Sequence, residues 1–200
     1  FLDETLNHLG FYLLHLELKK FSQLLGIRER PASEIIVRQV VTCKLSVKVA
    51  EEVFAYCARI SDEFSKEDWR QFRQSAFIPC IPSGTGGVVY KLFDQVFLPS
   101  SSSSSSPFAD LFDQIDFGAQ ANSFLRSVGV CEEPRCEDLI NLLLKDASGV
   151  LSNLKDAKYV DLLERVSSQW LNLSSKNPKL AKSFVSSKSF IGLVKSTGES

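Results

Sequence analysis

Two stretches of this chain, separated by about half its length, place the same landmarks in the same order. Leu25-Gly26-Ile27-x-x-x-Pro31 is matched by Val128-Gly129-Val130-x-x-x-Pro134 at an offset of 103 residues. In each copy the proline is followed by a polar pair and an apolar run, Ser33-Glu34-Ile35-Ile36 and then Cys136-Glu137-Asp138-Leu139-Ile140. A longer apolar-periodic segment follows (Val49 to Ile60, Tyr159 to Trp170), then a shorter one beginning at Trp69 or Pro178. Each copy ends on Phe-Ile, at Phe77-Ile78-Pro79 and Phe190-Ile191-Gly192. A repeat of this length exceeds the usual solenoid period, so each copy is expected to be a small helical subdomain.

The local pattern is mostly helical. Leu2, Leu6, Leu9, Leu13, Leu16 and Leu24 recur mainly at three- and four-residue steps, and Phe21 and Leu25 widen the stripe. This predicts one amphipathic helix stopped by Gly26, with Pro31 and Ser33 as turn and N-cap of the next. Ile35 to Val41 is β-branched enough to suit a strand. Its counterpart at 137–145 has strong helix formers, which decides for helix over 34–42. Ser46 to Ile60 reads as a helix with Val49, Val53, Phe54 and Cys57 on one face, and Ser65 to Asp68 resembles a capping box ahead of Trp69. Further helices are expected over Ala119–Val128, Pro134–Lys145 and Asp156–Leu171, the last burying Val160, Leu163, Val166 and Trp170. Asn177-Pro178, an N-cap followed by proline, opens another to about Ser186.

Between the copies the texture changes. Pro79 and Pro82 favour extended backbone, Ser83-Gly84-Thr85-Gly86-Gly87 is a turn, and Val88 to Leu98 supplies one or two strands, which makes a β-hairpin. Ser100 to Ser106 is an uninterrupted serine run closed by Pro107, with nothing to bury. The expected fold class is therefore mainly α with short β-hairpins, as two related helical subdomains in tandem. The boundaries are 1–99, a flexible loop at 100–107, and a second, truncated copy at 108–200.

Composition bounds the partners. Apolar residues at 44% and charged residues at 24% suit a globular chain, and a net charge of −1 offers no global field for nucleic acid or anionic membrane. The charge is unevenly placed: residues 108–146 carry eight acids against three bases, and 147–200 carry eight bases against four acids. Lys176, Lys179, Lys182, Lys188 and Lys195 could dock phosphate, but no interleaved aromatics suggest base stacking, and a solvated helix face is the simpler reading. The five cysteines (Cys43, Cys57, Cys80, Cys131, Cys136) form no disulfide framework and suit an intracellular location, cytoplasmic or nuclear. The Asn172-Leu173-Ser174 sequon sits at an expected helix end and is read as a chance match. The chain contains no methionine, which raises the expectation that it is a piece of a longer protein.

Motif-level chemistry is sparse. Gly84-Thr85-Gly86-Gly87 lacks the Lys-Ser/Thr of a phosphate loop and precedes a strand rather than a helix. Asp116-Phe117-Gly118 spells the magnesium-binding triplet of protein kinases, without the catalytic loop or glycine-rich loop that must accompany it. Cys131 and Cys136 would need two further zinc ligands. His8 and His15, two helical turns apart on one expected face, lack the companion Glu of a metalloprotease and are read as structural or surface residues. No catalytic, cofactor-binding or metal-ligating residue is assigned.

The stretch from Asp116 to Pro134 (DFGAQANSFLRSVGVCEEP) carries more information than any of these motifs. With Phe77-Ile78-Pro79, Val96-Phe97-Leu98-Pro99 and Leu139-Ile140-x-x-Leu143-Leu144, it resembles a fungal domain of unknown function. That domain follows a gyrase, heat-shock chaperone, histidine kinase and MutL (GHKL) type ATPase domain in large proteins laid out like sacsin and the plant protein NO VEIN. The resemblance implies a non-catalytic scaffold or interaction region of a chaperone-like ATPase. Its partners would be other domains of the same chain and possible protein clients, while composition and charge, not the resemblance, argue against a membrane and make nucleic acid the weaker alternative. ATP and magnesium would belong to an upstream domain. The Glu-x-x-x-Asn helix and Asp-x-Gly-x-Gly loop of that ATP site are absent here, so no site residue is carried over. The alternatives are a nucleic-acid-binding helical module, or part of an enzyme whose site lies outside this chain.

Overall fold

The computed structural model describes residues 1–28, 30–82, 86–99, 111–154 and 156–187. The serine run and Phe190-Ile191-Gly192 lie outside them. The chain is mostly helical with one small antiparallel hairpin, and it divides into two compact units. The first comprises the described residues of Phe1–Ser103 and Phe112–Glu132, and the second those of Ser104–Leu111 and Glu133–Ser200.

In the first unit, the one long helix expected from Leu2 to Leu25 is replaced by two 3-10 helices, Glu4–Leu9 and Leu16–Phe21. Gly10 ends the first with φ of 79°, its N–H going to the carbonyls of Asn7 and Leu6. A left-handed residue reverses the chain direction without the steric penalty a side chain would bring. Leu6 and Leu9 are buried, and this first turn packs on the two following α-helices. Beyond Phe11 and Leu13 the stripe loses its cover. Tyr12 is 95% exposed, Leu24 85%, Leu25 55%, and Leu18 and Phe21 44% each.

Helix α1 (Ser33–Thr42) forms despite its β-branched residues because Ile36, Val37 and Val40 fall on one buried face. Its N-cap is Ala32, and the Ser33 hydroxyl donates instead to the Asp68 carboxylate at 3.1 Å. Helix α2 (Val47–Arg59) is capped by Ser46, which accepts from Val49 N, and buries Ala50, Val53, Phe54, Tyr56 and Cys57. Helix α3 (Lys66–Gln74) starts with the expected capping box between Ser65 and Asp68. Strands β1 (Ile78–Cys80) and β2 (Val89–Lys91) pair antiparallel with Pro79 opposite Tyr90. Helix α4 (Gly118–Val128) then packs along α2 more extensively than any other described pair of elements. The serine-run boundary differs from this division, since α4 follows that run in sequence yet belongs to the first unit. Its apolar face (Ala121, Phe124, Leu125, Val128) is what closes the core over α2. Phe54, Phe64, Phe72, Phe77, Phe117 and Phe124 form one aromatic cluster there, with centroid separations from 5.0 to 6.4 Å.

Tyr56 is the one flaw among the described side chains of this core. It is 3% exposed and its hydroxyl has no hydrogen-bond partner. Burial, helped by the charge of Asp3, pushes its ionisation up to about 12, so it stays a neutral, unsatisfied phenol. Tyr56→Phe is expected to stabilise the unit by about 1 kcal/mol, because the penalty of an unpaired buried hydroxyl disappears with the atom. Urea unfolding tests this, and a lower midpoint in the variant would contradict it.

Among the described residues, the second unit contains four helices. Helix α5 (Cys136–Asn153) is interrupted at Asp146, where φ −154° and ψ 72° are non-helical. The Asp146 carboxylate accepts from Gly149 N at 2.9 Å, capping the second segment. The sequence pattern ends its helix at Lys145, one residue before this break. Helices α6 (Asp156–Ser168), α7 (Trp170–Lys176) and α8 (Pro178–Ser186) follow. α5 packs on α6 and α8, and α7 bridges the same two, which closes the set around Leu139, Ile140, Leu143, Leu162, Val166 and Leu173. The buried stripe of α6 is rotated from the expected one. Tyr159, Leu162 and Val166 point inward while Val160 is 52% exposed. Asn177 caps α8 by accepting from Leu180 N, with Pro178 at the first helical position as expected.

Candidate functional site

A cleft of about 450 Å³ lies in the second unit, at the start of α5 and beside α6 and α7. Glu133, Arg135, Cys136, Arg165, Asn172 and Lys176 are among the residues that line it. The Arg165 guanidinium pairs with Glu133 at 3.1 Å and donates to the Pro134 carbonyl at 3.3 Å. The Arg135 backbone N–H donates to the Asp138 carboxylate at 2.8 Å, and its side chain reaches the same oxygen at 3.4 Å. The lining carries three cations, Arg135, Arg165 and Lys176, and two carboxylates, Glu133 and Glu137, with Arg165 paired to Glu133 and Arg135 to Asp138 beside the cleft. Burial, reinforced by Glu137, pushes the Cys136 thiol above its ordinary range, which leaves it protonated and unreactive at neutral pH. The cleft presents amide, guanidinium and ammonium donors to a polar group.

A shallower pocket of about 170 Å³ in the first unit lies between β1 and residues 114–117. Cys80 lines it, and burial and the Asp113 carboxylate both raise its thiol, with Lys91 opposing. Asp116 lines it too and is committed elsewhere. Its Oδ1 accepts from Gly118 N at 2.9 Å and from Asn122 Nδ2 at 2.8 Å, two bonds that hold its carboxyl below the usual value of 3.8. Asn122, 5% exposed, returns its own oxygen to Phe117 N at 3.1 Å. Gly118 sits at φ 79°, and the Phe117 ring stands edge-on to Phe54 at 5.3 Å. The kinase-like triplet is therefore a structural start to α4.

The other singled-out residues are likewise dispersed. The Gly84–Gly87 segment connects β1 and β2, as the hairpin reading required, though residues 83–85 themselves lie outside the described set. His8 hydrogen-bonds Glu52 at 3.0 Å, while His15 precedes the second 3-10 helix, so the break at Gly10 removes their expected common helical face. The Cys131 thiol donates to the Gly129 carbonyl at 3.6 Å within the first unit, and Cys136 is the first residue of α5 in the second. All five cysteines are free thiols. Asn172 and Ser174 of the sequon lie inside α7, and Lys176 lines the cleft. Among the described residues no group of three or more His, Cys, Asp or Glu could hold a metal ion, and no helix is long and apolar enough to cross a membrane. Sequence reasoning did not bring Arg135 and Arg165 together, because their meeting depends on how α5 packs on α6.

The stretch from Asp116 to Pro134 thus contains a carboxylate-amide start, a helix with one deeply buried face, and a glycine stop. At Gly129, φ is 122°, a conformation that favours glycine, and an added Cβ would press on the Phe93 ring at 3.2 Å. A family model described as "Protein of unknown function (DUF3684)" matches residues 1–200. The chain belongs to this family. No curated protein and no solved structure matches the DUF3684 chain. In residues 116–134 of this DUF3684 member, Asp116, Asn122 and Gly129 serve the capping and packing of α4.

Proposed function

We propose that this DUF3684 chain is a non-catalytic scaffold and interaction region of a large, fungal, chaperone-like protein of sacsin and NO VEIN type, downstream of a GHKL ATPase domain. The carrying observation is the exposed apolar surface of residues 12–25, where five large hydrophobic side chains stand open within fourteen residues. A patch of that kind marks a surface meant to be covered. The use of Asp116, Asn122, Asp68 and the cleft arginines in capping and ion pairing agrees with a structural role. The free thiols agree with a location inside the cell.

Two measurements test this. The 200-residue chain is expected to show no ATP hydrolysis above blank, and to reduce light scattering from a thermally denatured client enzyme at stoichiometric amounts. ATP turnover by the chain alone, or scattering unchanged at any ratio, would refute the reading. The parental sequence is expected to carry the Glu-x-x-x-Asn helix and the Asp-x-Gly-x-Gly loop upstream.

A further inference from the structure

The open side chains of Tyr12, Leu18, Phe21, Leu24 and Leu25 lie on a segment whose apolar spacing is that of an α-helix but whose backbone is a 3-10 turn and irregular chain. Apolar residues at helical spacing normally sit on a covered face. Here the cover is missing and the regular helix is missing with it, which is the pattern of a segment that completes its fold on contact. Its charges are one-sided. Lys19, Lys20 and Arg28 lie among or beside the open apolar groups, with Glu17 as the opposing charge among the described residues. The Lys20 ammonium sits 5.2 Å from the Phe21 ring centroid, so a cation is held at the rim of the apolar surface.

We infer that residues 12–28 are the docking surface for an amphipathic helix of another polypeptide segment, one whose apolar stripe is flanked by carboxylates. The apolar stripe covers Leu18, Phe21, Leu24 and Leu25, and the carboxylates meet Lys19, Lys20 and Arg28. Helix-on-helix docking of this kind is set by anchors at three- and four-residue spacing, which Leu18, Phe21 and Leu25 supply. A peptide suits the surface better than anionic lipid. Retention on lipid takes a cluster of about four to eight basic residues, and three cations opposed by Glu17 fall short of it. The inference rests on the interaction reading above and narrows it to one surface and one partner chemistry.

The test titrates the 200-residue chain with two synthetic peptides that share a three-heptad leucine stripe, one flanked by glutamates and one by lysines. The glutamate peptide is expected to bind at least about tenfold tighter than the lysine peptide, with affinity falling as salt rises. Phe21→Asp with Leu24→Asp should abolish binding while leaving the unfolding midpoint unchanged, since both side chains are open. Lys19→Glu with Lys20→Glu should reverse the peptide preference. Equal binding of the two peptides, or a preference that survives the charge reversal, overturns the inference. So does retention on phosphatidylserine vesicles without binding of the glutamate peptide. If the glutamate peptide does not bind while the chain still suppresses client aggregation, this surface assignment falls and the interaction reading stands.

Discussion

Phe124→Ala is expected to destabilise the first unit by about 4 kcal/mol. Phe124 is 1% exposed, and its ring lies 5.0 Å from that of Phe72, 5.6 Å from Phe54 and 6.1 Å from Trp69. These partners come from α2 and α3, while Phe124 itself comes from α4, so the ring fills a space that three helices share. Removing it deletes the transfer free energy of a whole aromatic side chain. It also leaves a cavity that the surrounding rings, already in edge-on and tilted contact, cannot close without moving helices. Urea unfolding monitored by near-ultraviolet circular dichroism, which reports Trp69, is the direct measurement. Phe124→Leu keeps most of the volume and should cost about 1.5 kcal/mol at most. An alanine variant within 1 kcal/mol of the parent would mean that α4 does not pack as described.

Asn122→Asp is the second large effect, and it carries a pH signature. In the parent, Asn122 Nδ2 donates to Asp116 Oδ1 at 2.8 Å. The variant replaces that donor with a second carboxylate oxygen at a position only 5% exposed. Two carboxylates at that separation cannot both ionise cheaply, so the new Asp is held far above the ordinary carboxylate range. A folded-state pKa raised by two to three units corresponds to about 3 to 4 kcal/mol lost at neutral pH.

The two carboxylates respond to acid in opposite directions. Asp116 in the parent has a lowered folded pKa, so its contribution is present above 3.8 and is lost as pH falls through the folded value. The variant has a raised folded pKa, so its penalty is present at neutral pH and is relieved as acid protonates the new side chain. The stability difference between the two proteins should therefore shrink steadily from pH 7 toward pH 4. A difference independent of pH would show that the two side chains do not share a proton-sensitive contact. Asn122→Ala, which leaves Phe117 N–H unpaired in the core, should cost about 2 kcal/mol, independent of pH near neutrality, and less in acid, where the Asn122 bond to the Asp116 carboxylate no longer contributes.

Local signals in this chain translate directly into structure where the stabilising group lies within one or two helical turns. Ser46, Ser65 with Asp68, and Asn177 with Pro178 start helices α2, α3 and α8 because the capping bond closes over three residues. Gly129 stops α4 for an equally local reason, a positive φ. The repeat also assigned 34–42 to helix correctly, since the second copy contained better helix formers than the first. The N-terminal stripe misled for the converse reason. Its spacing is helical, but a helix needs a partner over its full length, and the core buries Leu6 and Leu9, partly covers Phe11 and Leu13, and leaves Leu18, Phe21, Leu24 and Leu25 exposed.

By itself the sequence determined that the chain is mainly helical, where most helices start and stop, that a hairpin follows Ile78, and that no familiar catalytic motif is complete. Each of these depends on residues close in the chain, where backbone propensity and capping energies act. Tertiary structure alone decided that α4 belongs with α2, that α6 turns Tyr159 and Leu162 inward and Val160 out, and that Arg165 meets Glu133. It also left Tyr12, Leu18, Phe21, Leu24 and Leu25 exposed. Those outcomes depend on which apolar face finds which partner across tens of residues, a long-range competition for burial that periodicity cannot resolve.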